Sequence, residues 1–421
     1  MQIVTQDNLP TPPDVGADQP SVAPVENVSQ EQKPLPPSEP LFFTLGQSVI
    51  GSEHLEGKYK GNGNQDCRGF REVTKGLIGV SCDGCGSTPD SSTGSRAAVR
   101  IILNICQELL GREDIPAPKE FASELQLKLL ERVLACALPL SRDEKTLNDI
   151  LYQSYLFTVQ VLVVTPIWTA VMGCGDGYWA LNDDPEEVKP REGNQPEYLT
   201  YLLMNPIPEG FENIAIKVFR QEDTLKVRHA MVGTDGISPL IKGAQLPDSG
   251  KVYLAEFWRK ATFFKQPQTV AMVMSELSED SDRLETKPGF RGESVEVRIV
   301  RKRNMFHDDA SFVIIRRNDS VSLLPPVWHE YRAARVPTPA IEEKTKVQSS
   351  FGTAPAKDET KVALKPAQAD VPSTASGGAK MDIPKENELL KNLAALWKRV
   401  WDYFTGFTTP PSDPPTPPAK S

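Results

Sequence analysis

The chain has 421 residues, of which 39% are hydrophobic and 24% are charged, and its formal net charge is −9. This apolar content can bury one large core or two modest ones, which predicts a globular protein. The acidic balance excludes a global positive field of the kind that attracts nucleic acid or anionic lipid, so we expect no nucleic-acid partner. Six cysteines in so long a chain do not form the dense framework of a small secreted domain, and they favour a reducing, cytoplasmic location.

Composition divides the chain into five parts. Residues 1–41 are rich in proline and predict a disordered arm. The folded domain is expected over 42–334, followed by a disordered linker at 335–381. An amphipathic helix is predicted at 382–407, before a Pro-rich tail at 408–421. The first residues also lack a basic segment followed by an apolar core, so we expect no secretory signal.

The run at 156–174, LFTVQVLVVTPIWTAVMGC, is almost long and apolar enough for a membrane helix. It is crowded with Val, Thr and Ile, however, and it contains Thr165 and Pro166 at its middle. It also runs directly into Gly-Asp-Gly. These features predict two buried strands joined by a turn.

Five other segments give clear signals. GLIGVSCDG, at 76–84, is a short apolar run that predicts a buried strand with Asp83 at its carboxyl end. After a Ser/Thr/Gly loop, helical spacing predicts one helix at 95–111 and a second at 119–138. Further strands are predicted at 229–236 and 309–317. Two helices packed on sheets that carry acids at their ends predict an α/β sandwich.

Acidic residues recur at the ends of these strands, beside Gly, Asn or another acid. They are Asp66, Asp83, Asp176, Asp235, and Asp308 or Asp309. One Asp-Gly pair alone is an ordinary turn. Several carboxylates that converge repel one another and raise one another's pKa, unless hard divalent cations hold them. The ordered set therefore indicates a carboxylate-rich site suited to Mg or Mn.

In this order the motifs resemble those of the metal-dependent protein phosphatases of type 2C, in their bacterial branch, across nearly all of 45–318. Five blocks carry the resemblance: SVIGSEHLEGKYKGNGNQDC, GVSCDGCGSTPDSSTGSRAA, MGCGDGYWALN, VGTDGISPL and HDDASFVII. No single block is decisive, but together they stand in the family's order. The resemblance implies an α/β fold in which a β-sandwich is flanked by helices.

The resemblance also implies a site and a reaction. Asp83 would bridge two Mn or Mg ions, with the Gly84 carbonyl helping to hold one of them. The other ligands implied are Asp66, Asp235, Asp308 and, for a weaker third ion, Asp176. The implied reaction is hydrolysis of phosphoserine or phosphothreonine monoesters in a phosphoprotein by metal-activated water, with no covalent enzyme intermediate.

Some positions depart from the family pattern. Many relatives have an arginine five residues before the first metal aspartate, where this chain has Gly61. Lysine does not reproduce the two-pronged grip of arginine, so we expect Lys60 or His54 to bind the phosphate, or the grip to be weak. For His54 a structural hydrogen bond is the alternative. Gly177 replaces the usual serine, and Asp309 replaces the usual asparagine.

Two functional classes stay open at this point. The first is an active protein serine/threonine phosphatase, and the second is a catalytically silent phosphatase-like binding or regulatory module. A silent relative is expected to lose one or more of the metal aspartates, and all are present, so we favour activity. Hydrolysis of a small phosphorylated metabolite at the same centre is a further alternative.

Cys82 and Cys85 flank Asp83, which raises zinc and redox alternatives. Zinc would need a second cysteine pair at suitable spacing, and a redox pair usually lies at the start of a helix. We interpret both cysteines as small buried residues. A hypothesis remains that oxidation of this pair distorts the site.

Two segments are left without an assigned role. The helix predicted at 382–407 has a broad apolar face, which favours docking on its own domain or on a protein partner. A position at a membrane surface is the alternative, which the mixed charges of its polar face weaken, and weak order without a role is another. The insert at about 184–222 departs from the compact family core and is a candidate for shaping substrate choice.

Overall fold

A computed structural model describes residues 40–56, 60, 63–246, 250–279, 281–287, 296–302, 304–321, 323–336 and 398. The arm, the linker, the amphipathic helix and the tail that the sequence predicts lie almost wholly outside these residues, and their boundaries stay predictions. The domain predicted over 42–334 lies largely inside them.

Two antiparallel sheets form the centre of the described part of the chain. The first sheet has the strand order β1 (Phe42–Val49), β14 (Ala310–Arg317), β9 (His229–Gly233), β6 (Gly177–Leu181) and β7 (Glu186–Val188). The second sheet has the order β2 (Cys67–Val73), β3 (Gly76–Cys82), β4 (Val159–Val164), β5 (Trp168–Cys174) and β8 (Lys217–Asp223). Two separate hairpins pair β10 (Ala244–Leu246) with β11 (Gly250–Val252) and β12 (Ser281–Lys287) with β13 (Glu296–Lys302).

Helices cover the outer face of each sheet. The second sheet is covered by α2 (Ser91–Gly111), α3 (Pro118–Ala137) and α4 (Glu144–Ser154). The first sheet is covered by α5 (Ser238–Lys242), α6 (Leu254–Arg259), α7 (Thr262–Lys265) and α8 (Pro267–Ser278). A short helix α1 (Ser52–Leu55) follows β1, and α9 (Pro326–Ala333) follows β14. The α/β sandwich flanked by helices that the sequence predicts is therefore confirmed.

Alternation of side chains along the strands builds the layers, as β3 shows. Ile78 and Val80 pack in the core under the helices, whereas Leu77 packs in the core between the two sheets. Gly79 also faces the first sheet, and a Cβ there would lie 2.8 Å from the side chain of Val313. The period of two thus places one set of residues against helices and the other against the opposite sheet.

The main elements predicted from the sequence are confirmed. The apolar run at 156–174 forms β4 and β5. The strands predicted at 76–84, 229–236 and 309–317 are β3, β9 and β14, and the two predicted helices are α2 and α3. None of the helices in the described residues combines the length and the apolar character that spanning a bilayer requires.

The start of α2 differs from the prediction. The helix begins at Ser91 rather than at Ser95, so most of the Ser/Thr/Gly stretch expected as a loop is its first turn. Tertiary contacts override the low helix propensity there. Ser95 Oγ donates a hydrogen bond to the Gln65 carbonyl at 2.5 Å, and a Cβ on Gly94 would lie 2.1 Å from the Ser154 carbonyl oxygen.

The insert at 184–222 supplies an edge strand to each sheet, since β7 pairs with β6 and β8 pairs with β5. Its apolar residues extend the core under the helices of the second sheet. Gln126 of α3 anchors it, because its side chain accepts from the Ile216 amide at 2.9 Å and donates to the Ile214 carbonyl at 3.4 Å.

Helix α9 fastens three separate parts of the second-sheet layer. Trp328 Nε1 donates to the Thr74 carbonyl in the turn between β2 and β3 at 2.9 Å. The Tyr331 hydroxyl accepts from the Ile115 amide, between α2 and α3, at 2.7 Å. Arg332 makes a 2.5 Å ion pair with Asp223 at the end of β8. We infer that α9 is an integral part of the folded domain.

Replacing Trp328 tests this role. Because Trp328 is buried and its indole NH is hydrogen-bonded, Trp328→Ala is expected to lower the free energy of unfolding by about 3 to 5 kcal/mol. Urea denaturation of the full chain measures this loss. Glu330→Ala, at an exposed position of the same helix, is the control and is expected to change stability little. An unchanged urea midpoint in Trp328→Ala would show that α9 adds nothing to the domain.

Candidate metal centre

The register of the β2–β3 hairpin brings Asp66 and Asp83 together. Cys67 lies opposite Cys82 in this antiparallel pair. Asp66 directly precedes one of these residues and Asp83 directly follows the other, so the two aspartates lie at the same end of the hairpin. The Asp83 amide donates to Thr158 Oγ1 at 3.1 Å, and the Thr158 amide donates to the Asp83 carbonyl at 2.8 Å, which fixes this end to the start of β4.

Three more aspartates reach the same end of the sandwich from other connections. Asp176 lies between β5 and β6, Asp235 follows β9, and Asp308 precedes β14. Because β9 is antiparallel to both β6 and β14, the end of β9 lies beside the starts of β6 and β14. The three connections therefore meet at the same end of the strands of the first sheet. We name the set the aspartate cluster; it consists of Asp66, Asp83, Asp176, Asp235 and Asp308.

The members of the aspartate cluster act on one another electrostatically. Burial raises the pKa of Asp83 well above its ordinary value, and the charges of the other four aspartates raise it further. Burial also raises the pKa of Asp66, against hydrogen bonds with Asp83 and Thr234 that lower it. Burial and the charge of Asp235 raise the pKa of Asp176 to about 7. The structure thus places all five carboxyl groups within electrostatic reach of one another.

The cluster has a buried side and a solvent-facing side. Asp66 and Asp176 are buried, whereas Asp235 and Asp308 are exposed residues. Partial burial of the carboxyl group and the charge of Asp308 nevertheless raise the pKa of Asp235 to about 6. A ligand from solvent would therefore meet the side formed by Asp235 and Asp308.

Thr234 joins the two sheets at the cluster. Its hydroxyl donates to Asp66 Oδ2 at 2.6 Å and accepts from the Ser311 amide at 2.9 Å. Close by, the Ser81 and Ser311 hydroxyls form a 2.6 Å hydrogen bond between β3 and β14. These bonds hold Asp66, which directly precedes β2 of the second sheet, in a fixed position relative to the first sheet.

Asp309 connects three segments of the chain, two of which carry cluster residues. Its carboxylate accepts from the Gly51 amide at 2.7 Å and from the Gln65 amide at 2.5 Å. It also lies 3.0 Å from Nδ1 of His54. Because Gln65 precedes Asp66 and Asp309 follows Asp308, one buried carboxylate sets the positions of both ligand candidates.

His54 was one of two residues expected to bind phosphate. Its side chain is only 1% exposed, and Nδ1 lies 2.9 Å from the Gly63 carbonyl as well as near Asp309. Burial lowers the pKa of His54, but hydrogen bonds with Asp309 and Gly63 and the charges of Asp309 and Asp308 outweigh it and raise the pKa to about 9. A buried cation held in this way favours the structural alternative. Lys60, the other candidate, is exposed.

Two glycines permit close backbone contacts at the cluster. A Cβ on Gly236 would lie 1.8 Å from the Asp309 carbonyl oxygen, so the turn after Asp235 can pack there only with glycine. Gly177 has a φ of +133°, and a Cβ would lie 2.5 Å from the Gly233 carbonyl oxygen. This explains physically why glycine stands where the family pattern has serine.

The donor set fits a hard divalent cation. Asp66 Oδ1 and Asp176 Oδ1 are buried without a hydrogen-bond partner, an arrangement that is costly unless another group meets them. Mn and Mg prefer such oxygen ligands, and a cation would also relieve the repulsion among the carboxylates. As the described residues stand, no three His, Cys, Asp or Glu side chains are grouped so as to hold an ion.

The structure adds site residues that the sequence analysis did not name. Gln160 Nε2 donates to the Asp176 carbonyl at 2.8 Å and supports that turn. Tyr198, in the insert, lies beside the cluster: burial raises its pKa, and Cys85, Asp83 and Asp176 raise it further. Thr234 had a usable signal, since it directly precedes Asp235. Tyr198 had none, because it is far from the aspartates in the sequence.

A cavity of about 850 Å³ lies elsewhere and does not include the cluster. Its lining includes His229, which begins β9, whereas Asp235 follows the end of that strand. Two of its arginines are paired with acids, Arg259 with Asp184 and Arg316 with Asp319. The cavity therefore has no clear net charge for a phosphate group.

Comparison with known families bears on this geometry. A family model described as Protein phosphatase 2C matches residues 50–277, which is more than half of the chain. The chain belongs to the protein phosphatase 2C family. As a member of this family it is a metal-dependent protein serine/threonine phosphatase by class, and the substrates of that class are phosphoproteins. No curated protein matches the chain.

Solved structures of phosphatases are similar to this protein phosphatase 2C chain. One bacterial serine phosphatase is 11% identical over 65% of this chain and 97% of its own, with a TM-score of 0.36. Stp1 from Staphylococcus aureus is 11% identical over 65% of this chain and 94% of its own, with a TM-score of 0.36. The PstP catalytic domain, solved with two manganese ions, is 9% identical over 66% and 99%, with a TM-score of 0.34. At such low identity and TM-score, these likenesses add nothing to the family match.

Replacing Asp309 tests its positioning role. Asp309→Ala would leave two buried amides without an acceptor and would remove the buried carboxylate that pairs with His54, so we expect a loss of about 3 to 5 kcal/mol in the free energy of unfolding. Asp309→Asn keeps one acceptor oxygen and should lose less. Urea denaturation measures both, with Asp149→Ala at an exposed position of α4 as the control. Equal stability of Asp309→Ala and Asp149→Ala would contradict the role.

Crowding of the carboxylates predicts the pH dependence of the metal-free protein. The pKa is about 7 for Asp176 and about 6 for Asp235 in the native state, whereas the ordinary pKa of an aspartate is 3.8. Between these values the native state therefore holds protons that the unfolded chain has already released. The free energy of unfolding should therefore fall as the pH rises from about 4 to about 7. Thermal melts of the chelated protein at pH 5 and pH 8 measure this effect.

Two comparisons make the pH prediction specific to the cluster. Saturating Mn²⁺ should raise the melting temperature more at pH 8 than at pH 5, since the ion competes with protons for the carboxylates. Asp83→Asn removes one charge and should reduce the loss of stability with pH in the chelated protein. A stability that rises from pH 5 to pH 8 without metal would contradict the electrostatic description.

Proposed function

We propose that this chain is a catalytically active phosphatase that hydrolyses phosphoserine and phosphothreonine in proteins at the aspartate cluster. The observation that supports this most directly is the convergence of five aspartates, each from a different connection or strand end. Such a set of carboxylates is unfavourable without cations. A site with only a structural role would have no reason to retain it.

Within this proposal, four carboxylates would hold the two Mn or Mg ions. Asp83 would bridge them, and Asp66, Asp235 and Asp308 would complete the set, with the Gly84 carbonyl as a further oxygen ligand. Asp176 would hold a third, weaker ion. When bound, the ions would supply an activated water and neutralise charge on the phosphoryl group.

The chain's own residues would fix the geometry of the reaction. Thr234 holds Asp66 by a hydrogen bond, and Asp309 holds the backbone next to it. Preset positions of this kind lower the reorganisation that the reaction requires. The exposed side of the cluster, at Asp235 and Asp308, is where a phosphorylated side chain of a protein would enter.

In this proposal Lys60, rather than His54, binds the phosphate group of the substrate. His54 is buried and already bonded, so it does not face a substrate. Lys60 is exposed and precedes Gly61, the position where many relatives have arginine. As a point charge, Lys60 would attract a phosphate without fixing its orientation, so we expect a weak grip.

Location and partners follow from more general features. We place the chain in the cytoplasm, which its six unpaired cysteines support. The proposed partner at the aspartate cluster is the phosphoprotein substrate. The helix predicted at 382–407 is the candidate for binding its own domain, another protein or a membrane surface.

Hydrolysis of a phosphothreonine peptide by the full chain tests the proposal. We expect turnover that requires Mn²⁺ and falls more than about 100-fold in Asp83→Asn. Asp149→Asn, which is exposed on α4, is the matched control and should keep full activity. Release of phosphate is the measured quantity.

Two other outcomes would overturn it. A folded protein that binds Mn²⁺ but hydrolyses no phosphorylated compound would be the silent binding module. Turnover confined to small phosphorylated metabolites, with none on the peptide, would retain the metal centre but replace the substrate class.

A further inference from the structure

Cys67 and Cys82 lie directly opposite each other on neighbouring strands. They form the end pair of the β2–β3 register. Residues opposite each other in an antiparallel pair have Cα atoms about 4.5 to 5.5 Å apart. Disulfides span Cα separations of about 4.4 to 6.8 Å, so the backbone is already within the range that a disulfide needs.

The two side chains also lie on the same face of the second sheet. Cys82 belongs to the core under α2, and Cys67 packs against that core. Two positions along β2, a Cβ on Gly69 would lie 2.7 Å from the side chain of Val99 in α2, which shows which way this strand's odd-numbered residues point. Both sulfur atoms are therefore on the α2 side.

The position of the pair relative to the aspartate cluster is specific. Cys67 directly follows Asp66, and Cys82 directly precedes Asp83. A bond between the two sulfur atoms would join the chain segments that carry these two ligand candidates. None of the other four cysteines is directly adjacent to either aspartate.

Cys85 is the competing partner, since the sequence pattern pairs it with Cys82. In the structure its sulfur lies 3.2 Å from the Ser87 hydroxyl, in the turn that follows the strand. Cys85 is not part of the strand pair, so nothing in the sheet register holds it opposite Cys82. The geometry therefore favours Cys67 over Cys85 as the partner of Cys82.

We propose that Cys67 and Cys82 are an oxidisable pair that forms a cross-strand disulfide when the protein meets a hydroperoxide. In the first step the Cys67 sulfur, the less buried of the two, attacks the peroxide; the O–O bond breaks, an alcohol or water leaves, and a sulfenic acid forms. In the second step the Cys82 sulfur attacks this sulfenic sulfur, the S–S bond forms and water leaves. Two thiols are oxidised by two electrons, and one hydroperoxide is reduced.

The disulfide is expected to weaken metal binding, a consequence that rests on the proposed function. Disulfides most often have a Cα separation of about 5.5 to 6 Å, at or above the upper end of the range for opposed strand residues, so forming the bond would slightly move the ends of β2 and β3. Metal sites tolerate displacements of only about 0.5 Å in their ligands. Oxidation of this pair would therefore lower the affinity of the cluster for Mn²⁺ through Asp66 and Asp83.

Peptide mapping tests disulfide formation independently of activity. The full chain is treated with hydrogen peroxide for hours, because both thiols are largely buried, then alkylated, digested with trypsin and analysed by mass spectrometry. Cys67 falls in the fragment 61–68, and Cys82 in the fragment 76–96. We expect these fragments joined, lighter by two hydrogen atoms than their sum, and separated again by dithiothreitol.

Variants assign the bond. Cys85→Ser should keep the linked fragments, and Cys67→Ser should abolish them. Linkage that is lost in Cys85→Ser, or that joins Cys82 to Cys85, would overturn the proposal, as would the absence of any linked fragment after oxidation.

Calorimetric titration with Mn²⁺ tests the consequence. We expect the affinity of the oxidised chain to be at least about 10-fold lower than that of the reduced chain, and the affinity of Cys67→Ser to be unaffected by peroxide. Equal affinity of the linked and reduced chains would overturn the coupling to the metal centre. Failure of the reduced chain to bind Mn²⁺ would instead contradict the proposed function, while the mapped disulfide would stand.

Discussion

Repulsion among five aspartate side chains at one end of the sandwich is the constraint on which the site depends. Burial and mutual charge raise the pKa values of these groups, and two of their buried oxygens have no hydrogen-bond partner. The fold must hold the carboxylates together against this force. A divalent cation would turn the same arrangement from a cost into a binding site.

The scaffold supplies the opposing free energy in two ways. Apolar cores lie on both faces of each sheet and fix the strand ends from which the aspartates project. Buried hydrogen bonds then link those ends: Thr234 connects the sheets through Asp66, and Asp309 connects the segment before β2 to β14. Asp309 needs a compensating charge, which His54 provides.

The same closeness of β2 and β3 has a chemical consequence. The register that brings Asp66 and Asp83 together also places their neighbouring thiols face to face. Under the two proposals, metal binding and thiol oxidation would therefore act on the same pair of chain segments. The insert contributes to this environment as well, because Tyr198 lies within electrostatic reach of Asp83.

Much of the framework was predictable from the sequence. Long periodic or apolar segments such as 76–84 and 119–138 were recognised because burial requires their side-chain pattern. The short helices α5 to α7 were not predicted, since elements of four to six residues are too short for a period to show. The stretch at 91–94 was predicted as loop because its helical form depends on contacts with distant residues.

For the site, the sequence by itself determined which residues are acidic and where each stands along the chain. That was sufficient to name four of the five aspartates, because carboxylates beside turn residues at strand ends are visible locally. Between Asp308 and Asp309 the local pattern left the choice open, and the family resemblance favoured Asp308. Only the tertiary structure decided that His54 is a buried partner of Asp309 and that Cys67, rather than Cys85, faces Cys82. These relations depend on strand register and on contacts between residues far apart in the chain, and no local pattern encodes either.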